Sequence, residues 1–178
     1  MEKCIVNLKT KDVLSSQTIR QMPVEELAQL IRPCGYYNAK ATKIRAFVQW
    51  LGEQHGDSLD DLFDSDVPRL RCELLNIHGI GEETADSIIL YAAEKPIFVI
   101  DAYTRRIMDR FFSKPMGECY SEYQDLFMRY LPREEKLFNE YHALFVRHGK
   151  ERCSKKMPRC DGCCLNSLCM SRDNEYFG

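Results

Sequence analysis

The sequence predicts an all-α fold, a helical bundle that ends in a cysteine-rich loop, and three observations lead to this prediction. Apolar residues recur every three or four positions over most of the chain, as on one face of an amphipathic helix. No segment longer than Pro96–Ile100 shows the pattern of a strand. Two glycines separated by one residue, Gly79 and Gly81, interrupt the helical pattern and predict a tight turn between two helices.

The composition is that of an ordinary globular chain with one domain or a domain and a small appendage. Of its 178 residues, 44% are hydrophobic and 29% are charged, and the formal net charge is −2. Any contact with a nucleic acid must therefore depend on a local cluster of basic residues. No apolar run reaches the ~18 residues that a membrane span needs. The segment Met1–Val6 is too short and too polar for a secretory signal, so we expect a cytoplasmic protein.

Four helices are predicted before the glycine turn. The first covers Glu2–Leu8. The second begins near Pro23, because proline is tolerated in a first helical turn. Asn38 is the predicted cap of the third, and the fourth is the short segment Pro68–Leu75.

Four further helices are predicted after the turn. The first has an apolar stripe at positions i, i+3, i+4 and i+7, formed by Ala85, Ile88, Ile89 and Ala92. After an extended segment at Pro96–Ile100, Asp101 begins a helix that runs to about Phe111. Ser121 and Gln124 predict a capping box at the start of the next helix. The last helix is predicted to end at Gly149, and one face of it is marked by Leu137, Tyr141, Leu144, Phe145 and His148.

The glycine turn is typical of a phosphate site. Glycine tolerates positive φ and allows a foreign group to approach the backbone closely. The first amides of the next helix, expected to begin at Glu83 or Thr84, have no partner within the helix, and the helix dipole adds partial positive charge there. We therefore predict that Gly79 and Gly81 contact a phosphate of DNA, with a plain helix–helix turn as the alternative.

The cysteines predict a metal site. Nine cysteines, a high and odd number, argue against a simple disulfide framework and favour a reducing compartment. Intervals of six, two and five residues separate four of them: Cys153, Cys160, Cys163 and Cys169. Because zinc sites usually combine C-x-x-C with a second such pair or with two histidines, we favour a [4Fe–4S] cluster, with zinc as the alternative. Cys164 is the predicted non-ligand, although spacing alone leaves an exchange with Cys163 open. The remaining cysteines are interpreted as small buried apolar residues: Cys4, Cys34, Cys72 and Cys119.

Basic residues surround the predicted ligands. Six basic residues and one acidic residue lie between positions 147 and 159 of a chain that is acidic as a whole. A loop that a metal holds rigid would keep its cations in fixed places, as phosphate binding requires. The candidates are Lys150, Lys155, Lys156 and Arg159, and a solvated run of charge is the alternative.

These motifs together resemble the helix-hairpin-helix DNA glycosylase superfamily, and its endonuclease III family in particular. The family pattern contains a leucine, then G-hydrophobic-G-x-x-T/S-A, and then an aspartate that begins a helix after an extended apolar run. The matching residues are Leu75, the segment Gly79–Ala85 and the segment Phe98–Asp101. The cysteine spacing matches the family's cluster signature in full, and two further family motifs resemble Gly35–Ala41 and His148–Lys150.

The resemblance implies a base excision repair enzyme that removes a damaged base from duplex DNA. Its aspartate, here Asp101, would stabilise the oxocarbenium charge on the sugar or orient the attacking water, and a helix cap is its alternative role. An extruded base leaves a gap in the stack. By its place in the motif, Tyr36 is the candidate to fill this gap, with Tyr37 second and a core aromatic as the alternative.

Two departures from the family pattern limit the resemblance. Bifunctional members carry a lysine at the position of Glu83, and its amine forms a Schiff base with the sugar. A carboxylate cannot do so. The sequence of this motif is more similar to that of the branch that contains the monofunctional 3-methyladenine DNA glycosylases. Glu83 is therefore kept as a second catalytic candidate or as a first-turn acid favoured by the helix dipole. The family also has about two helices ahead of the counterpart of Glu2–Leu8; without them, we expect an open base pocket, a protein partner in their place, or loss of base recognition.

The sequence therefore predicts a barrel-like helical domain with the helix-hairpin-helix motif over residues 1–132, and a last helix with an iron–sulfur cluster loop over residues 133–178. We expect a monofunctional DNA glycosylase, associated with the nucleoid if the source is a prokaryote, for a damaged and possibly alkylated base. The alternatives are an abasic-site lyase that uses another lysine and a non-catalytic module that binds damaged DNA.

Overall fold

The computed structural model describes residues 2–171, and all regular structure in this range is helical. A short 3-10 helix covers Arg32–Cys34. The ten α-helices of the described range are, in chain order, α1 (Glu2–Thr10), α2 (Ser16–Gln21), α3 (Val24–Leu30), α4 (Tyr37–His55), α5 (Leu59–Phe63), α6 (Val67–Leu75), α7 (Glu82–Tyr91), α8 (Ala102–Phe111), α9 (Tyr120–Tyr130) and α10 (Glu135–Glu151). The predicted all-α class is confirmed. No helix within residues 2–171 combines the length and the apolar character that crossing a membrane requires.

By its internal packing the chain divides into two compact units, residues 1–81 and residues 82–178. This boundary differs from the sequence-based division at residue 132, which separated the motifs by function and remains a prediction. In the first unit, α4 packs against α2 and α3 and provides Ala41, Val48 and Leu51 to the core. Leu27 and Ile31 fill the space beneath them.

In the second unit, α10 packs against α7 and α8 around a group of aromatic side chains. Phe98 stacks on Phe127 with ring centroids 3.9 Å apart and meets the edge of Phe138 at 5.4 Å. Phe98 belongs to the segment Ile97–Ile100, which connects α7 to α8 and is buried at every position. This buried segment fixes the point at which Asp101 enters α8.

Two predicted helix caps are wrong. The N-cap of α4 is Tyr36 and not Asn38, and its φ of 48° is in the left-handed region. The capping box of α9 is formed by Cys119 and Glu122, and not by Ser121 and Gln124. The amide of Gln124 is unavailable because it donates hydrogen bonds to Asp86 and to the carbonyl oxygen of Phe98, at 2.7 and 2.6 Å.

The predicted end of the last helix is wrong, and its predicted face is only partly buried. Helix α10 continues through Gly149 to Glu151, and the glycine is a packing site instead of a stop: a Cβ there would lie 2.5 Å from the ring of Tyr103. Phe138 is buried on α10, whereas Tyr141 and Leu144 are exposed.

Three smaller corrections concern short elements and single residues. Helices α2 and α5, with six and five residues, were not predicted because they are too short to display a period. On α7, Asp86 and Leu90 are buried, whereas Ala92 is exposed and lies beyond the helix. Cys72 and Cys119 are exposed, so they are not the buried apolar residues that we expected.

Candidate active site and cysteine cluster

Asp101 lies at the junction between the buried segment and α8. Its Oδ1 accepts the backbone N–H of Thr104 at 2.7 Å, so the residue is the N-cap of α8, as predicted. The residue is only 8% exposed, and its second carboxylate oxygen remains available for another contact. The cap therefore occupies Oδ1 and leaves Oδ2 for a second partner.

The second oxygen of Asp101 faces His142, a residue that sequence analysis missed. Nε2 of His142 lies 3.6 Å from Oδ2, the separation of an ion pair. Nδ1 of the same ring lies 2.5 Å from the hydroxyl of Tyr91, at the end of α7. A helical period counted from Phe138 includes positions 142, 145 and 149, so this register would have found the histidine.

The surroundings of Asp101 hold it as an anion. Burial works to raise the pKa of this carboxyl, but the contacts from His142 and from the N–H of Thr104 outweigh it, so the pKa lies below the usual value. A charged carboxylate in a partly dry site interacts strongly with positive charge nearby.

Glu83 lies in the first turn of α7 and has the opposite behaviour. The residue as a whole is exposed, but its carboxyl end is partly desolvated. This desolvation, and next the charge of Asp101, raise the pKa of Glu83. The charge of Asp101 thus contributes to the raised pKa of Glu83, whereas the pKa of Asp101 itself is lowered by His142 and Thr104. Such a divergence is characteristic of acid–base pairs in active sites.

The predicted hairpin residues lie at the end of the first unit. Gly79 has φ = 84°, and a Cβ at this position would lie 2.6 Å from Cγ of Lys43. Both the backbone conformation and the lack of space therefore favour glycine. The N–H of Ile80 donates to the carbonyl oxygen of Ile77 at 3.0 Å and closes the turn. Gly81 has open space around it and immediately precedes α7. Tyr36, the predicted wedge, is 91% exposed, which argues against a place in the core.

The four predicted ligand cysteines come together in the second unit. Cys153, Cys160, Cys163 and Cys169 line one cavity, whereas Cys164 is exposed and lies outside this lining. Burial raises the pKa of the Cys160 thiol, and the three other thiols raise it further, whereas Arg110 lowers it. Each thiol makes ionisation of the others less favourable, because the thiolates would repel one another in the shared cavity. A bound metal cation would offset this repulsion, so the four thiols fit a metal centre.

Helix α8 holds the cysteine loop through two arginines. Arg106 donates to the carbonyl oxygens of Cys153 and Gly149, at 3.0 and 2.9 Å. Arg110 donates to the carbonyl oxygens of Ser154 and Lys155, at 2.7 and 2.8 Å, and contacts the Cys153 sulfur at 3.3 Å. The loop is therefore attached to the same helix that Asp101 caps.

His148 gives the loop a second potential donor group. Its Nε2 lies 3.7 Å from the Cys163 sulfur, and donor atoms of His148, Cys163 and Cys164 all lie within 4.8 Å of one another. The described part of the chain thus contains a cysteine–histidine cluster that could bind a metal.

The predicted phosphate-binding cations are on the surface of the second unit. Lys150, Lys155, Lys156 and Arg159 are all exposed. The backbone at Lys155 and Arg159 is fixed, because the carbonyl oxygen of Lys155 accepts from Arg110 and the N–H of Arg159 donates to Arg152 at 2.9 Å. Arg147 is partly neutralised by Glu151 at 3.2 Å.

Two successive helices joined by a glycine turn, with a buried aspartate that caps the next helix, define a helix-hairpin-helix protein. Residues 1–133 match the family described as HhH-GPD superfamily base excision DNA repair proteins, and the chain belongs to this family. The predicted identification as a DNA glycosylase of base excision repair is confirmed at this level.

Individual relatives agree with this assignment. The chain is 39% identical, over 97% of its own length and 78% of the relative's, to a protein of Methanocaldococcus jannaschii whose name assigns it provisionally as a DNA repair glycosylase. It is 30% identical to endonuclease III of Bacillus subtilis over 83% of its own length, but it spans only 63% of that enzyme.

Solved structures show the same fold. A trapped endonuclease III–DNA covalent intermediate superimposes with a TM-score of 0.75 at 24% identity, covering 94% of this chain and 74% of that one. The Helicobacter pylori 3-methyladenine DNA glycosylase bound to 1,N6-ethenoadenine gives a TM-score of 0.73 at 24% identity, covering 84% and 76%. At these identities the likeness concerns the fold alone.

Proposed function

We propose that this chain hydrolyses the N-glycosidic bond of a damaged base in duplex DNA and does not cleave the strand. The observation that carries the proposal is the buried carboxylate of Asp101, which caps α8 through Oδ1 and faces His142 with Oδ2. Glu83 is the second carboxyl, and partial burial followed by the charge of Asp101 raises its pKa. Hydrolysis of an N-glycosidic bond needs stabilisation of the positive charge on the sugar, and a proton donor helps where the departing base is uncharged.

The two carboxyls have separate roles in the proposed reaction. Positive charge develops on the sugar ring as the base departs, and the anionic Asp101 stabilises it. The same carboxylate accepts a proton from the attacking water, whose oxygen bonds to C1′ as the bond from C1′ to the base nitrogen breaks. Glu83, when protonated, donates its proton to the departing base. Because Glu83 offers no amine, no Schiff base forms at that position.

Contacts with DNA are assigned to residues in both units. The turn at Gly79 and Gly81 leaves backbone amides for a phosphate. Tyr36 is the candidate to fill the gap left by the extruded nucleotide. Exposed cations of the cysteine loop are proposed to provide further phosphate contacts, and such contacts would associate the protein with the nucleoid if its source is a prokaryote: Lys150, Lys155, Lys156 and Arg159.

Cys153, Cys160, Cys163 and Cys169 are proposed to hold a [4Fe–4S] cluster. Four thiols around one cavity match the ligand number of such a cluster. The cluster would act as a cross-link that holds the loop and its lysines in place. Zinc bound by a set that includes His148 is the competing arrangement.

The test compares leaving bases of different charge on labelled duplexes. An alkylated purine such as 3-methyladenine departs without a proton, whereas uracil or ethenoadenine benefits from one. Asp101→Asn should reduce base release from every substrate by about 100-fold or more. Glu83→Gln should slow release of uncharged bases by about 10-fold or more but leave the alkylated purine nearly unaffected.

Other outcomes would favour the alternatives. Strand cleavage of abasic DNA with borohydride trapping of the protein would indicate a lyase that uses a lysine. Tight binding of damaged duplexes without release of any base would indicate a non-catalytic module. Equal activity of wild type and Asp101→Asn would contradict the proposed role of Asp101.

A further inference from the structure

Behind Asp101 lie two side chains that the proposed hydrolysis does not use, Tyr91 and His142. Their rings are in contact, with centroids 5.8 Å apart, and the hydroxyl of Tyr91 lies 2.5 Å from Nδ1 of His142. The opposite ring nitrogen, Nε2, lies 3.6 Å from Oδ2 of Asp101. Because Tyr91 is 44% exposed and Asp101 is buried, the three groups form a chain from the surface to the carboxylate.

The hydroxyl of Tyr91 decides which nitrogen of a neutral His142 carries the proton. Burial, and next the charge of Asp101, raise the pKa of Tyr91, so the phenol keeps its proton throughout the neutral range. The 2.5 Å contact permits either direction, but donation by the phenol to Nδ1 is the one that leaves a hydrogen on Nε2 for the carboxylate of Asp101, which can only accept. The neutral imidazole therefore carries its own hydrogen on Nε2, the nitrogen that faces Asp101.

Nε2 of His142 has no other hydrogen-bond partner among the described residues, and it is buried. An unsatisfied buried N–H is costly, and Oδ2 of Asp101 lies 3.6 Å away. The other oxygen of Asp101 is already bound by the N–H of Thr104, which fixes the plane of the carboxylate. A small movement would bring Nε2–H within hydrogen-bond distance of Oδ2, as is common when a substrate completes a site.

We propose that Tyr91 and His142 are positioning residues: the hydroxyl fixes the imidazole tautomer, and Nε2–H then holds the Asp101 carboxylate in place as an anion. The catalytic consequence of this arrangement rests on the proposed glycosylase function, but the arrangement itself does not. Neither residue needs to touch the substrate.

The other ionisable groups in these surroundings are few. Helix α7 contributes Glu83, which interacts with the charge of Asp101. Helix α10 contributes Arg147, Lys150 and Glu151, which line a cavity of about 460 Å³ together with Tyr91 and His142. Arg147 and Glu151 are paired with each other, so Lys150 is the main cation of this cavity wall.

The first test reads the tautomer directly and needs no enzymatic activity. Nitrogen-15 NMR of labelled histidine in the intact protein should show His142 protonated on Nε2 at neutral pH. Tyr91→Phe should increase the fraction protonated on Nδ1, and Tyr130→Phe, at a tyrosine that is 72% exposed, should not. An unchanged tautomer in Tyr91→Phe would overturn the proposal.

The second test reads the carboxylate. His142→Leu removes the N–H, whereas His142→Gln places an amide nitrogen near the position of Nε2. Carboxyl carbon-13 NMR should show the pKa of Asp101 rising in His142→Leu and returning towards the wild-type value in His142→Gln. In a single-turnover assay, the rate of base release by His142→Leu should be about 10- to 100-fold lower than that of wild type. The acid limb of its pH–rate profile should move to higher pH, and its DNA affinity should change by less than about twofold.

The outcomes separate this proposal from the proposed function. If the wild type releases no base while Tyr91 still controls the tautomer, the glycosylase proposal fails and the positioning arrangement remains. If the wild type is active but the tautomer, the pKa of Asp101 and the acid limb are unaffected by these substitutions, the positioning proposal fails. Should His142→Leu not fold, Tyr91→Phe and His142→Gln still decide the question.

Discussion

Asp101 combines a structural and a chemical role at the scale of a single residue. One oxygen caps α8, and the other faces an imidazole. The cap explains why α8 begins at this residue. The buried position strengthens the interaction of the carboxylate charge with its neighbours. Substitutions can separate the two roles because asparagine caps a helix as well as aspartate does.

Asp101→Asn and Asp101→Ala should therefore differ in stability but not in activity. The asparagine retains the cap but loses the charge, so at pH 7 it should be less stable than wild type and more stable than the alanine. The alanine should lose about 1 kcal/mol. Both should lack base release. Urea unfolding and a single-turnover assay measure the two effects, and equal stability of both variants would contradict the capping role.

The charge of Asp101 also gives a pH dependence with a definite sign. Its pKa in the folded protein lies below the unfolded value, so its contribution to stability is present above the unfolded pKa and is lost as the pH falls through the folded one. The stability difference between wild type and Asp101→Asn should thus change in favour of the variant between about pH 5 and pH 2. Thermal unfolding across this range measures it, and a constant difference would contradict the shift.

At the scale of elements, the glycine turn before α7 contains two glycines with different physical demands. Gly79 adopts positive φ and lies against Lys43, whereas Gly81 has neither constraint. Only the first is therefore required for folding. The second has open space beside the first amides of α7, where a phosphate is expected.

Gly79→Ala should destabilise the protein by more than about 1 kcal/mol, because a side chain at positive φ is strained and this one also meets Lys43. Gly81→Ala is the matched control and should change stability by less than about 1 kcal/mol. If the turn binds a phosphate, Gly81→Ala should still weaken DNA binding in an anisotropy titration. Equal stability losses in the two variants would contradict the assignment of roles.

At the scale of the whole molecule, the cysteine loop should depend on its metal. Cys160→Ser removes a thiol of the shared cavity, whereas Cys164→Ser changes an exposed neighbour outside it. Iron analysis of the purified proteins should give about four atoms per chain in wild type and in Cys164→Ser, and far less in Cys160→Ser. Zinc without iron in the wild type would exclude the [4Fe–4S] proposal.

The loop cations should dominate the salt dependence of DNA binding. Lys155→Glu should weaken binding to all sequences and reduce the slope of log K against log salt by about 1 or more. Lys9→Glu, on the exposed part of α1, makes the same charge change far along the chain. If the two variants behave alike, overall charge and not the loop explains the binding.

Secondary structure was predictable from the sequence where residues close together in the chain determine it. Helix α7 follows from its apolar period, and the turn at Gly79 follows from its glycines. Short helices such as α2, and the caps of α4 and α9, were not predictable, because tertiary contacts select among several residues with similar local preferences. The capping box of α9 illustrates this, since Gln124 is occupied by Asp86.

By itself, the sequence determined the helical class, the family, the aspartate that begins α8 and the four cysteines of one short loop, because each of these depends on spacing along the chain. Only the tertiary structure decided which groups surround that aspartate. Tyr91 and His142 are 51 residues apart in sequence and meet only because α7 packs against α10. The predicted face of α10 was displaced by one residue, and this was enough for His142 to be missed. Each residue turns the helix by about 100°, which moves a side chain from the buried face to the surface.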